Sequence, residues 1–101
     1  MIDIGLDDNA LKLMRSVFVQ FPDVCRVVLF GSRAKGIAGN SSDVDLAVDG
    51  ISDELEIERM TMELEDLPLP YQFDVKALNC IENPALREHI ERVGITIYTI
   101  D

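Results

Sequence analysis

No stretch of this 101-residue chain stays apolar for the ~20 residues a helix needs to cross a bilayer; its longest apolar runs are strand-sized. Its first residues include Asp3, Asp7 and Asp8, where a secretory signal would place basic residues before an apolar run. No membrane segment or signal peptide is therefore expected, and a cytoplasmic protein is the default. Positive charge is scarce: nine Lys and Arg stand against nineteen Asp and Glu, a formal net charge of −10. That balance opposes tight non-specific binding to DNA or RNA, where phosphate neutralisation supplies most of the affinity. Cysteine is scarce as well. Cys25 and Cys80 lie 55 positions apart and match no close-spaced ligand or redox pattern, so two reduced, partly buried thiols are expected. Internal repeats, low-complexity tracts and long linkers are missing, and the length serves one core, so residues 1–101 are read as a single domain.

What is present is periodic. Residues 7–20 predict a helix with Leu11, Met14, Val17 and Phe18 on one stripe, capped by Asp7 or Asp8 and stopped by Pro22. Val24–Phe30 reads as a strand buried on both faces, and Val44–Val48 as a second strand after the polar loop 39–42. Ser52 is placed as the cap of a helix of about fifteen residues, with Leu55, Met60, Met62 and Leu64 inward and Ile57 blurring the stripe. Leu67-Pro68-Leu69-Pro70 stops it. Tyr71–Leu78 alternates as a strand, with Asp74 and Lys76 on its polar side. Asn83-Pro84 opens a last helix to Val93, Gly94 ends it, and Ile95–Ile100 closes the chain as a strand. The order predicts an α+β (α/β layered) fold: a sheet of about four strands covered by helices.

Three features carry chemistry. The loop Gly31-Ser32-Arg33-Ala34-Lys35-Gly36 directly follows the apolar run Val27–Phe30. Its glycines allow close backbone approach, and successive N–H groups there attract phosphate, although many such loops simply turn the chain. It is not a P-loop, because no Gly-Lys-Ser/Thr follows at the required spacing. Asp43 and Asp45 come next. The two-residue period of a strand puts both carboxylates on one face, where they repel and are costly to desolvate, so a compensating Mg²⁺ is the natural candidate. An exposed edge with Asp43 capping a turn is the plainer alternative. Asp74 is the third. If its strand pairs beside 44–48, three carboxylates gather, enough for two Mg²⁺ ions across a reacting phosphate, with Asp74 placed to take a proton.

A glycine-serine loop, about a dozen residues, the strand Ser42-Asp43-Val44-Asp45-Leu46 and a later strand with one more Asp resemble the nucleotidyltransferases of the DNA polymerase β superfamily. The likeness is to the minimal nucleotidyltransferases in particular, over essentially the whole chain. The resemblance implies a nucleotidyltransferase fold with a mixed sheet. It implies that Asp43, Asp45 and Asp74 ligate Mg²⁺ and act in catalysis, with Asp74 helping to deprotonate the acceptor. Gly31 and Ser32 would hold the β- and γ-phosphates of ATP, with Arg33, Lys35 and Lys76 as candidate neutralising charges. It further implies a HEPN-type helical partner, an antitoxin role, and AMP transfer to a hydroxyl of that partner.

Two other readings stand beside this one: a non-catalytic module that neutralises its partner by contact, and a transferase for a small aminoglycoside-like hydroxyl compound. A hetero-complex is expected, with a homodimer as the alternative. The acidic segment 52–66 carries seven carboxylates against Arg59 and reads as a solvated helix face or a partner contact. The single histidine, His89, falls on the last helix, away from the motifs, and a surface or half-buried role is expected for it. Tyr71 and Tyr98 are read as packing at the core edge.

Overall fold

The computed structural model describes residue 6, residues 8–31 and residues 43–100. Its elements run α1 (Asp8–Phe18), β1 (Arg26–Phe30), β2 (Val44–Asp49), α2 (Glu54–Glu65), β3 (Phe73–Ala77), a 3₁₀ turn at Leu78–Cys80, α3 (Pro84–Val93) and β4 (Ile95–Thr99). The strands form one mixed sheet in the order β3-β2-β1-β4. β1 is antiparallel to both β2 and β4, whereas β2 and β3 are parallel and joined by the α2 crossover. No helix among the described residues is long and apolar enough to cross a membrane.

The sheet separates two apolar layers. Val27, Leu29, Val44, Leu46, Val48, Phe73 and Ile97 point into the larger, with Met14, Val17 and Phe18 of α1 and Met60 and Leu64 of α2. Val28, Phe30 and Ala47 point the other way, against Leu78 and Ile90. β1 is therefore apolar at consecutive positions because both of its faces are covered. α3 closes the smaller layer, held by Arg87 Nη1 donating to the carbonyls of Leu78 (2.8 Å) and Ile81 (3.3 Å). Gly94, which follows α3, has φ −63°; it is required by close approach, since a Cβ would lie 2.2 Å from the Ile90 carbonyl and 2.5 Å from Val28 Cγ1.

Several local expectations change. Asp53, not Ser52, caps α2, accepting the Leu55 N–H at 2.9 Å, because the helix begins one residue later than the reading placed it. Leu55 and Met62 are 69% and 68% exposed, whereas Met60 and Leu64 are fully buried. The inward stripe is Ile57-Met60-Leu64, at spacings of three and four, and Leu55 and Met62, seven apart, share another face. Ile57 is thus part of the pattern. Cys25 and Cys80 are free but exposed, rather than partly buried. Asn83 caps α3 through the N–H groups of Ala85 and Leu86, and Tyr71 and Tyr98 pack against the core edge. In β4 the pairing skips Ile97, since Val27 faces Tyr98 and Val28 faces Thr96; Ile97 keeps the face of Ile95, and the bulge brings Tyr98 onto the same larger layer. Of the loop 31–36, only Gly31 falls within the described residues.

Candidate active site

Strand register decides the site. Phe30 lies opposite Asp45 across β1 and β2, and Asp45 lies opposite Asp74 across β2 and β3. Laterally paired residues point to the same side of a sheet, so Phe30, Asp45 and Asp74 form one row on the α3 face. That row sits where β1 ends and β2 and β3 begin. Asp43, exposed and just before β2, lies two residues from Asp45 and acts electrostatically on it. Register thus sets Asp45 beside Asp74, and Asp43 precedes them at the same end of the sheet.

The turn that leaves β1 presses onto this row. Gly31 has φ +78°, and a Cβ built there would lie 2.3 Å from Asp45 Oδ2 and 3.2 Å from its Cγ. Glycine is needed twice over, for the left-handed backbone and for the carboxylate against it. Ser32, Arg33 and Lys35 lie outside the described residues.

Burial and neighbouring charge together set the state of Asp45. Burial, then Asp74, then Asp43 push its carboxyl above the ordinary value of 3.8, while Lys76 and His89 pull it down. Lys76 Nζ pairs with Asp74 Oδ1 at 3.3 Å, with both side chains about half exposed. Among the described residues, no three metal-binding side chains are gathered closely enough to form a ready-made metal site. The acids repel one another, and one ammonium already offsets part of their charge.

His89 has the burial expected of it but not the expected distance from the motifs. It is half-buried, its Nε2 accepts the Gly31 N–H at 3.3 Å, and its ring meets Phe30 edge-on with centroids 6.3 Å apart. The histidine is remote from the motifs in sequence and adjacent to them in space, because α3 packs on the face that carries the acids. One signal was readable: a strand apolar at consecutive positions needs a helix on each face.

The profile of the polymerase β nucleotidyltransferase family matches residues 12–101. The chain belongs to the polymerase β nucleotidyltransferase family. Among solved structures, this nucleotidyltransferase is similar to a protein described as a minimal nucleotidyltransferase, with 28% identity, a TM-score of 0.68, and coverage of 93% of this chain and 95% of the other. It also shares its fold with a toxin–antitoxin protein solved with AMP-PNP, at 23% identity and TM-score 0.71, covering 93% of this chain and 74% of that one. A third likeness is to a complex from Shewanella oneidensis of a tri-AMPylated HEPN toxin with its MNT antitoxin, at 18% identity and TM-score 0.66, covering 90% and 70%. No curated protein sequence matches the nucleotidyltransferase.

Proposed function

We propose that this nucleotidyltransferase transfers AMP from ATP to a hydroxyl group on a HEPN-type partner protein, as the antitoxin of a toxin–antitoxin pair. The observation that carries the reading is the register pairing of Asp45 with Asp74 beside the Gly31 turn. A purely structural sheet end gains nothing from placing like charges side by side, whereas metal-assisted phosphoryl transfer uses such acids to hold its cations. The relatives solved with AMP-PNP and with a tri-AMPylated HEPN toxin support the choice of nucleotide and partner.

Asp43, Asp45 and Asp74 are an all-oxygen donor set, the kind a hard divalent cation prefers, and the Asp45 carboxyl, held above its ordinary value by burial and then by Asp74 and Asp43, is one whose charge such an ion would relieve. When bound there, Mg²⁺ would supply charge stabilisation to the phosphate oxygens. The chain's own residues do the rest. Gly31, at the start of the loop, positions the triphosphate, with Ser32 and Arg33 proposed to complete that contact. Asp74 accepts the proton of the acceptor hydroxyl, whose oxygen bonds to the α-phosphorus as the bond to pyrophosphate breaks. Lys76, paired with Asp74, tempers the local negative charge. The gain comes from positioning and electrostatics.

The test is incubation with radiolabelled ATP, Mg²⁺ and a co-encoded HEPN-type protein. Label on the partner that disappears in Asp43→Asn is the expected result. A tight complex that never acquires label, and that Asp43→Asn leaves intact, would replace catalysis with neutralisation by contact.

A further inference from the structure

His89 is the single histidine of the sequence, and the fold brings its imidazole from α3 to the backbone amide that opens the glycine loop. Two observations converge on it. Nε2 lies 3.3 Å from the Gly31 nitrogen with the N–H donating. The ring stands edge-on to Phe30, the residue before that turn and the cross-strand partner of Asp45. Gly31 is in turn the residue against which Asp45 Oδ2 is packed. A single contact thus links helix, turn and carboxylate.

We infer that His89 is a positioning residue for nucleotide binding: by accepting the Gly31 N–H it orients the peptide that opens the loop and so sets the place of Asp45 beneath it. This rests on the nucleotide-site reading above and adds a residue to it. The imidazole acts through Gly31, with no contact to phosphate required. For Nε2 to accept, the proton of the neutral ring must sit on Nδ1. The role needs an acceptor at that point in space more than it needs an imidazole. A glutamine, whose side-chain oxygen reaches about as far as Nε2, should substitute; a leucine of similar bulk should not.

The consequence is measurable on the whole chain. Binding of Mg²⁺ with AMP-PNP is followed by calorimetry for wild type, His89→Leu and His89→Gln, with a thermal melt of each. Loss of one backbone hydrogen bond predicts about fivefold weaker binding for His89→Leu. His89→Gln should restore affinity to within about twofold, on the same scale. A merely space-filling histidine would give the opposite order, since leucine keeps the packing. His89→Leu binding as tightly as wild type would overturn the inference while leaving the site itself intact. A wild-type protein that binds no nucleotide would overturn the site reading, and the role of His89 with it. Should His89→Leu fail to fold, the wild-type ring decides: ¹⁵N shifts of the neutral imidazole must show the proton on Nδ1, and a proton on Nε2 sinks the proposal.

Discussion

Replacing Gly31 by alanine separates stability from function, and the structure sets the scale of both. At φ +78° an L-residue pays about 1–2 kcal/mol for the left-handed backbone. The added Cβ also lands 2.3 Å from Asp45 Oδ2, an atom at the end of a side chain, so the carboxylate can swing aside and the steric part stays small. A loss of about 1–2 kcal/mol lowers the melting midpoint of a domain of this size by about 5–15 °C. The displaced carboxylate is where function suffers. Disturbing the support of a ligating group typically costs about 10–100-fold in affinity or activity, and that range is expected for Mg-nucleotide binding by Gly31→Ala. Gly50→Ala is the control. Gly50 has φ +107°, and its Cβ would meet the Asp23 carbonyl at 2.2 Å and the Cys25 nitrogen at 2.9 Å, backbone atoms that cannot rotate away. Its stability loss should be the larger, about 2–5 kcal/mol, combining backbone strain with overpacking. Below its melting midpoint it should still bind Mg-AMP-PNP with wild-type affinity. Thermal melts paired with calorimetric titrations read both quantities. Gly31→Ala with wild-type affinity would refute the claim that this turn governs Asp45.

Asp45→Asn should stabilise the protein at neutral pH while abolishing nucleotidyl transfer. A carboxyl raised above 3.8 on folding holds its proton more tightly in the native chain than in the unfolded one, so its contribution is fully present below pH 3.8 and is lost as pH rises through the raised value. The asparagine gain should therefore vanish at the acid end of a series of melts; a gain that persists there would contradict the electrostatic account. In α2, Met60→Ala empties a fully buried position and should cost about 2–5 kcal/mol by urea unfolding. Met62→Ala, at a position 68% exposed, should stay within about 0.5 kcal/mol. Equal losses at the two would mean the helix is rotated from the placement described.

α3 runs from Pro84 to Val93 as its Asn-Pro start and glycine stop indicate, since capping is a matter of adjacent backbone groups. The loop–Asp-x-Asp–Asp pattern was legible for the same reason: a strand's two-residue period is written into the order of residues, and it puts Asp45 on one side and Val44 and Leu46 on the other. The inward face of α2 is not legible locally, because Leu55, Ile57, Met60, Met62 and Leu64 offer two apolar stripes and only packing against the sheet selects Ile57, Met60 and Leu64.

The sequence alone thus determined the elements, their order and the identity of the acids, all of which follow from spacings of a few residues. Tertiary structure alone decided that β3 pairs with β2 in the register that sets Asp74 beside Asp45, and that α3 lies on that same face. Both depend on contacts between residues far apart in the chain, whose free energy comes from burying two apolar layers at once and leaves no periodic trace around any one residue. His89 and Gly31, 58 positions apart, meet for that reason only.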